Sequence, residues 1–270
     1  MRSILRYPGA KWSVADWIVG MMPPHKSYLE PFFGSGAVFF NKSRAPIETV
    51  NDLDGEIINL FRVIREQPQE LAAAVAMTPY SREEYERAWE LLDHGEMDEP
   101  DGVEHARLTL LRYWQSFGCR ACWKGGWRRD VAGREAAYTV RNWNALPDWV
   151  MDAALRLKEA QIEHVPALEL IRRFRSPDVL IYADPPYLLA TRTGAQYRQE
   201  MRDEEHEELL RALLAHPGPV MLSCYDNPLY DDILSGRWEK YWHTAQAVGN
   251  SSRVETLWVN FPVQMRLRIP

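Results

Sequence analysis

A carboxylate and an aromatic ring follow one of the most apolar runs of the sequence. Residues Val179–Ala183 lead directly into Asp184-Pro185-Pro186-Tyr187. An apolar run of this length predicts a buried parallel strand, and the chain must leave the sheet at the prolines because they cannot continue a strand. Asp184 and Tyr187 are therefore expected at the carboxyl edge of a sheet, which is where open α/β sheets bind ligands.

The Asp-Pro-Pro-Tyr corner offers two hydrogen-bond acceptors beside one flat ring. Because proline has no N–H, the backbone carbonyl of Pro185 is available to a ligand next to the Asp184 carboxylate. A planar amine with two N–H groups, such as the exocyclic amine of a nucleobase, fits both acceptors, and Tyr187 offers its ring face. The structural alternative is a Pro-Pro turn with Asp184 as a cap and Tyr187 as packing.

A second pattern that could do chemistry lies nearer the amino terminus. A strand predicted at Ser27–Glu30 is followed by Gly34 and Gly36, and a second strand predicted at Ile47–Val50 is followed closely by Asp52. Glycines let the backbone approach a ligand, and an acid after the second strand can accept from ribose hydroxyls. This order favours a nucleoside-containing cofactor over an ordinary loop.

Between about residues 67 and 159 the alternation of strands and helices stops, which predicts an inserted lobe. Helical spacing recurs at Glu83–Leu92 and Val103–Trp114, and the stretch Gln115–Asn144 has no clear period. Basic side chains suit phosphates and aromatic ones stack or wedge beside bases, so the lobe suits nucleic acid. A solvated basic face around a tryptophan core is the alternative. The basic residues are Arg112, Arg120, Lys124, Arg128, Arg129, Arg134 and Arg141, and the aromatic residues are Trp114, Phe117, Trp123, Trp127, Tyr138 and Trp143.

Composition and charge are those of an ordinary globular protein. A chain of 270 residues can hold one large α/β domain with an insertion, and the formal net charge of −6 confines a nucleic-acid site to a local patch. No signal peptide or apolar span of membrane length occurs, and the three cysteines cannot pair completely, so a reducing cytoplasm is expected. Cys119 and Cys122 lack a second pair, and no metal site is predicted.

After the lobe the alternation of strands and helices resumes. Apolar patterning predicts strands at Gln161–Val165, Val179–Ala183, Val220–Ser223 and Val254–Val259, and helices at Leu168–Arg173 and His206–Leu214. Together with the first βαβ unit, this predicts an α/β fold with a mostly parallel sheet and helices on both faces.

Four motifs follow one another in a fixed order along the chain. They are Arg6-Tyr7-Pro8-Gly9-Ala10-Lys11-Trp12, Glu30-Pro31-Phe32-Phe33-Gly34-Ser35-Gly36, Asn51-Asp52 and, after the lobe, Asp184-Pro185-Pro186-Tyr187. In this order they resemble the Dam-like, D12-class DNA adenine methyltransferases, and nearly the whole chain is covered. Thr191-Arg192, Tyr197, Ser223–Asp226 and Arg253–Trp258 further resemble members carried by bacteriophages and prophages.

The resemblance implies a Rossmann-like fold that uses S-adenosylmethionine. Residues 1–66 and 160–270 would form the catalytic and cofactor-binding domain, and residues 67–159 a mainly helical target-recognition domain. The implied reaction transfers a methyl group to the exocyclic N6 amine of an adenine flipped out of duplex DNA.

The resemblance also implies roles for individual residues. Val165 stands where related enzymes often carry an acidic residue followed by Phe, and it is expected to pack on the adenine of the cofactor. The implied catalytic residues are Asp184, Pro185 and Tyr187. The implied cofactor contacts are Tyr7, Gly9, Lys11, Phe32, Gly34, Gly36, Asp52, Val165 and Asp184. The implied DNA contacts are Arg120, Lys124, Arg128, Arg129, Arg141, Arg192 and Tyr197.

Double-stranded DNA is the expected partner, in the cytoplasm of a bacterium or a phage-infected host. A cognate restriction endonuclease is a second candidate partner, and a monomer or a weak dimer is expected. Two other functions fit part of the pattern: methyl transfer to RNA adenine, cytosine N4 or a protein glutamine, and DNA binding without catalysis. Aspartate at the first position of the tetrapeptide favours adenine, and the intact Lys11, glycine and Asp52 positions favour an active enzyme.

Overall fold

A computed structural model of the chain describes residues 1–94, 102–118, 121, 123–132, 137–246 and 252–263. Cys119, Arg120, Cys122 and Arg134 lie outside these ranges. The chain divides into two compact units, each built from several segments. The sheet unit comprises Lys11–Leu53, Ala160–Ala195 and Gln199–Pro270, and the helical unit comprises Met1–Ala10, Asp54–Glu159 and Gln196–Arg198.

The sheet unit is an α/β structure around one sheet. Its strands are β1 (Ser27–Glu30), β2 (Ile47–Asn51), β5 (Gln161–Glu163), β6 (Val179–Ala183), β7 (Val220–Cys224), β8 (Glu239–Gln246) and β9 (Ser252–Val259). Its helices are α1 (Ala15–Gly20), α2 (Ala37–Asn41), α8 (Ala167–Arg173), α9 (Asp203–Leu214) and α10 (Pro228–Leu234). In the parts of the chain that the structure describes, the strand order is β5-β2-β1-β6-β7-β9-β8.

The pairing of the strands makes the sheet mostly parallel. Strands β5, β2, β1, β6 and β7 are parallel neighbours, while β9 pairs antiparallel with both β7 and β8. From β1 the chain moves outward to β2 and β5 on one side and later to β6 and β7 on the other. The strand order therefore reverses between β1 and β6, and such a switch point is where open α/β sheets bind ligands, at the carboxyl ends of the strands.

Strands β6 and β7 lie at the centre of the hydrophobic core. Every residue of both strands is buried, because helices cover the two faces of a parallel sheet. Two helices carry their apolar faces onto this core through Leu170 and Ile171 of α8 and through Leu209 and Leu213 of α9. The rigid strand ends thus hold the loops that follow them in place.

The helical unit is built mainly from helices. These are α3 (Gly55–Glu66), α4 (Pro68–Ala76), α5 (Arg82–His94), α6 (Gly102–Gln115) and α7 (Tyr138–Leu157), and a hairpin of two short strands, β3 (Ser116–Phe117) and β4 (Gly126–Trp127), follows α6. Helix α3 packs on α6 and α7, with Ile57, Leu60 and Phe61 fully buried.

The boundary of the helical unit differs from the predicted domain boundary. The sequence places the start of the lobe at residue 67, whereas the structural division begins at Asp54 and so assigns α3 to the helical unit. The reason is packing, since the apolar face of α3 is covered by α6 and α7. The helical unit also takes in Met1–Ala10 and Gln196–Arg198, which the predicted boundaries leave in the catalytic domain.

Candidate active site

Asp184 begins the loop that leaves β6 at the carboxyl edge of the sheet. Its Oδ2 atom lies 3.0 Å from Lys11 Nζ, in an ion pair whose side chains are 18% and 5% exposed. Its Oδ1 atom is buried and accepts no hydrogen bond from any residue that the structure describes. Burial raises the pKa of Asp184 to about 6, and Lys11 opposes this rise. One carboxylate oxygen is held by a cation and the other remains an acceptor.

Tyr187 is fixed by its hydroxyl group and its ring. The hydroxyl donates to Glu255 Oε2 at 2.9 Å, Lys11 Nζ lies 4.7 Å from the ring centroid, and the ring of Tyr225 meets it edge-on at 4.6 Å. The residue is only 5% exposed. The sequence predicts an open ring face for a base, whereas here the ring is buried beside a cation.

Arg192 holds the main chain of the same corner. Its Nε donates to the Tyr187 carbonyl at 2.7 Å, and its Nη1 donates to Glu200 Oε1 at 2.9 Å. The side chain is 4% exposed. The resemblance implies a DNA contact for Arg192, and the structure instead commits its guanidinium to the backbone of Tyr187 and to an ion pair.

The glycine turn after β1 is tied to the end of β2. Asp52 Oδ2 accepts a hydrogen bond from the Gly34 N–H at 2.7 Å. Gly36 has a φ of +67°, and a Cβ there would lie 2.6 Å from the Phe33 ring and 2.7 Å from the Phe40 ring. Only glycine therefore fits at this position, which is the N-cap of α2. Asp52 both shapes the predicted cofactor loop and lies beside it.

Asn51 is a site residue to which the sequence motifs assign no role of its own. Its Nδ2 donates to the Pro31 carbonyl at 2.9 Å and to the Val165 carbonyl at 3.1 Å, and its Oδ1 accepts from the Val165 N–H at 3.0 Å. The side chain is fully buried. The loops after β1 and β5 are thus joined through the last residue of β2. The signal in the sequence that could have indicated this role is the position of the Asn51 amide directly before the predicted acid, Asp52.

Two further predicted cofactor residues lie on these loops. Phe32 and Val165 are partly buried and pack against the hydrophobic core of the sheet unit. Within the sheet unit, the structure gathers Lys11, Phe32, Gly34, Gly36, Asp52, Val165 and Asp184 onto the loops at the carboxyl ends of the parallel strands or into contact with them.

Tyr7, Gly9 and Tyr197 belong to the helical unit and contact one another there. The Tyr7 hydroxyl donates to Asp54 Oδ2 at 3.4 Å, and the rings of Tyr7 and Tyr197 lie 5.9 Å apart. Gly9 has a φ of +69°, and a Cβ at this position would lie 2.2 Å from the Tyr197 hydroxyl oxygen. The resemblance implies a DNA contact for Tyr197, and the structure packs its ring against the Tyr7-Gly9 turn.

Most of the predicted DNA-binding cations of the helical unit are at its surface. Lys124, Arg129 and Arg141 are exposed. Arg128 is half-buried, and its Nε donates to the Ser116 carbonyl at 3.3 Å. Arg120 lies outside the described residues. Three of these cations are therefore placed to meet a polyanion, and Arg128 is partly committed to the β3–β4 hairpin.

The aromatic residues of the lobe divide between core and surface. Trp114 and Trp143 are buried, and their indole N–H groups donate to backbone carbonyls of Ile4 and Thr78. Both contribute to the core of the helical unit. Phe117, Trp123 and Tyr138 are 71%, 51% and 64% exposed. Phe117 lies on the hairpin strand β3. The tryptophan-rich stretch therefore contributes residues both to the core and to the surface of the helical unit.

Neither a metal cluster nor a membrane-spanning helix occurs in the part of the chain that the structure describes. There, no group of three or more His, Cys, Asp or Glu side chains is arranged to hold a metal ion. No helix in the same ranges is long and apolar enough to cross a membrane.

Comparison with known proteins identifies the family. The family model of the D12 class N6 adenine-specific DNA methyltransferases matches residues 7–248. The chain belongs to this family. As a D12-class enzyme it is a DNA methyltransferase specific for adenine N6, and methyl transfer in this family and fold implies S-adenosylmethionine. The predicted α/β fold, with its mostly parallel sheet, is confirmed.

Curated relatives agree with the family assignment. The type II methyltransferase M1.LlaDCHI of Lactococcus lactis subsp. cremoris is 24% identical over 255 residues, covering 86% of this chain and 84% of the relative. The DNA adenine methylase of Vibrio cholerae serotype O1 is 26% identical over 192 residues, covering 69% and 65%. The DNA N-6-adenine-methyltransferase of Escherichia phage P1 is 33% identical over 70 residues, 26% of this chain and 9% of the relative.

Proposed function

We propose that the Asp184 corner binds the exocyclic amine of a target adenine in duplex DNA and directs it toward S-adenosylmethionine. The observation that carries this proposal is the state of the Asp184 carboxylate. Oδ2 is held by Lys11 at 3.0 Å, and Oδ1 is buried with no donor among the described residues. A buried acceptor without a donor is costly to folding, and an amine N–H supplies the partner that it lacks.

The two acceptors act on the amine itself. The lone pair of an exocyclic amine is delocalised into the ring, which makes the nitrogen a poor nucleophile. Asp184 Oδ1 and the Pro185 carbonyl each accept one N–H and draw the nitrogen toward a tetrahedral geometry, so the lone pair is available for attack. When bound, S-adenosylmethionine would supply an electrophilic methyl group and leave as the neutral thioether, and the amine would give up one proton, for which Asp184 is the adjacent acceptor. No covalent bond to the enzyme is needed.

The loops at the ends of β1, β2 and β5 fit the cofactor. A turn with positive φ at Gly34 and Gly36 lets main-chain atoms come close to a ligand, and Asp52 lies where an acid accepts from ribose hydroxyls. Phe32 and Val165 supply apolar surface for an adenine ring. Lys11 acts from the Asp184 side by keeping that carboxylate ionised.

The helical unit is proposed to bind the duplex and to stabilise it once a base has been extruded. Lys124, Arg129 and Arg141 are exposed cations suited to phosphates. Phe117 is 71% exposed on a hairpin, and an apolar ring in this setting can wedge between base steps. The Lactococcus relative is named a type II methyltransferase. This name supports a second proposal, that a partner restriction endonuclease recognises the DNA sequence that this chain methylates.

The test separates chemistry from cofactor binding. Asp184→Ala is expected to lower the single-turnover rate of methyl transfer by a factor of about 10² or more, while the dissociation constant of S-adenosylmethionine stays within about threefold of wild type. Asp52→Ala is expected to weaken cofactor binding by about tenfold, or ~1.4 kcal/mol. Tritiated methyl transfer and titration calorimetry measure the two quantities.

Asp226→Ala is a matched control, because Asp226 follows β7 at the same edge of the sheet but is 63% exposed. It is expected to leave the transfer rate and the cofactor affinity unchanged. Near-native turnover in Asp184→Ala would refute the proposed mechanism. Nucleoside mass analysis of methylated DNA and RNA then identifies the acceptor, and label in RNA adenine or cytosine N4 would overturn the assignment to DNA adenine at this corner.

A further inference from the structure

Glu255 reaches the Asp184 corner from a strand that the proposed mechanism does not use. It lies on β9 and directly precedes Thr256, which pairs with Cys224, the last residue of β7. Because β9 runs antiparallel to β7, its amino-terminal part lies at the edge where the parallel strands end. The side chain of Glu255 is 13% exposed, so its charge is largely removed from water.

A single oxygen of Glu255 contacts two residues of the corner. Oε2 accepts from the Tyr187 hydroxyl at 2.9 Å and lies 4.0 Å from Lys11 Nζ. Lys11 Nζ is also 3.0 Å from Asp184 Oδ2 and 4.7 Å from the centroid of the Tyr187 ring. One ammonium group therefore faces two carboxylates and one ring, and the three charged groups form a coupled set with a net charge of −1 when all are ionised.

The hydrogen bond to Glu255 determines how Tyr187 is oriented. The Arg192 guanidinium holds the backbone carbonyl of Tyr187 at 2.7 Å, and Glu255 holds the hydroxyl at the far end of the side chain. Between these two points the ring has little freedom. Any base that approaches Asp184 meets a tyrosine whose backbone and hydroxyl are both held.

We propose that Glu255 is a positioning residue for methyl transfer, which orients the Tyr187 phenol and shares the charge of Lys11 with Asp184. This inference rests on the proposed role of Asp184 as the acceptor of the target amine. Glu255 itself is not assigned a contact with substrate or cofactor. Its effect on the reaction passes through Tyr187 and Lys11.

The charge of Glu255 also bears on the titration of Asp184. Burial is the main cause that raises the pKa of Asp184 to about 6, Lys11 opposes it, and Glu255 adds to the rise. Among the described residues of the sheet unit, the other titratable groups that interact with Asp184 are Glu30, Tyr182, Tyr187 and Tyr230. Since the ionised carboxylate of Asp184 is the stronger acceptor for an N–H, methyl transfer should fall as pH decreases through about 6.

Glu255→Gln tests the charge, because the amide oxygen can still accept from the Tyr187 hydroxyl. Removing a negative charge near Asp184 should move the acid limb of the single-turnover pH profile to lower pH. The ratio of variant to wild-type rates should thus be higher at pH 5.5 than at pH 8. Glu239→Gln is the matched control, because Glu239 Oε2 accepts from the Tyr241 hydroxyl on the exposed strand β8. Its pH profile should coincide with wild type.

Glu255→Ala and Tyr187→Phe test the hydrogen bond. Each should slow single-turnover transfer by about tenfold, and the double variant should be no slower than the slower single variant, because both changes remove the same hydrogen bond. Additive effects, or an acid limb that Glu255→Gln leaves in place, would overturn the proposal. Rapid transfer in Asp184→Ala would instead refute the proposed function itself, so the two failures are distinguishable. If Glu255→Gln lowers thermal stability, the comparison of the double variant with the two single variants still tests whether Glu255 acts through Tyr187.

Discussion

At the scale of single residues, two carboxyl groups at this edge of the sheet are buried with opposite consequences. Burial raises the pKa of Asp184 to about 6, so with Lys11 beside it the group is mostly ionised at neutral pH. Burial raises the pKa of Glu30 to about 8, and its Oε2 accepts from the Tyr28 hydroxyl at 2.7 Å. The first group is the proposed acceptor for substrate, and the second is a neutral part of the core.

Glu30 predicts a loss of stability as pH rises from about 4.5 to about 8. Its folded-state pKa of about 8 exceeds the ordinary value of 4.5, so its contribution is complete below about pH 4.5 and is lost as pH rises through about 8. Glu30→Gln is uncharged throughout, and its free energy of unfolding should decline less between pH 6 and pH 9 than that of wild type. Urea denaturation at several pH values measures this. Glu66→Gln, on the exposed end of α3, should decline as wild type does.

The chemistry of the corner could be predicted from residue types, but its partners could not. Asp184 and Tyr187 stand out in the sequence because they directly follow an apolar run and are separated by two prolines, which cannot continue a strand. Glu255 is far along the chain, and only the antiparallel return of β9 brings it within 2.9 Å of the Tyr187 hydroxyl. Arginine is a residue type that often contacts DNA, and the sequence alone therefore suggests this role for Arg192. Its burial against Tyr187 depends on the conformation of the loop between them.

At the scale of elements, the end of β2 organises the predicted cofactor site. Asn51 joins the Pro31 carbonyl to both polar backbone groups of Val165, and Asp52 holds the Gly34 N–H. Two consecutive side chains thus fix the loops of three strands. Rigid strands with short loops tied to one another are a low-entropy way to pre-organise a ligand site.

Asn51→Ala should therefore weaken cofactor binding without removing a proposed cofactor contact. Loss of the amide leaves buried carbonyls of Pro31 and Val165 short of a donor, which costs about 1–3 kcal/mol, and part of that cost should appear as a dissociation constant for S-adenosylmethionine raised by about tenfold. Asn41→Ala removes a hydrogen bond from the side-chain amide to the Ala37 carbonyl within α2. This variant should bind S-adenosylmethionine with the affinity of wild type. Unchanged affinity in Asn51→Ala, despite lower stability, would show that the loops are held independently.

Elements were predictable where one period dominated the sequence. Strands β1 and β6 match their predicted bounds. The residues of β6 form a continuous apolar run, as is typical of a buried parallel strand. Helix α7 (Tyr138–Leu157) is not predicted from the sequence, and it contains Pro147, which argues against a helix interior. The two-residue strands of the β3–β4 hairpin are too short to carry any period.

At the scale of the whole molecule, an acidic chain must bind an acidic polymer. The net charge of −6 opposes association with DNA at long range, and salt screens this repulsion beyond about 8 Å at physiological ionic strength. Binding then depends on cations that reach phosphates directly. Lys124, Arg129 and Arg141 are exposed on the helical unit, and the exposed arginines of α8 and α9 are paired with glutamates.

A triple variant with alanine at Lys124, Arg129 and Arg141 should weaken DNA binding by a similar factor for all sequences. The slope of log K against log salt concentration should become shallower by about 0.9 for each phosphate that the variant no longer neutralises, while the preferred methylation sequence persists, because phosphate contacts carry no base information. Fluorescence anisotropy at several salt concentrations measures the slope. Replacing Arg172, Arg173 and Arg211 with alanine removes the same charge from the sheet unit. If this control changed the slope as much as the first variant, net charge rather than the surface of the helical unit would govern binding.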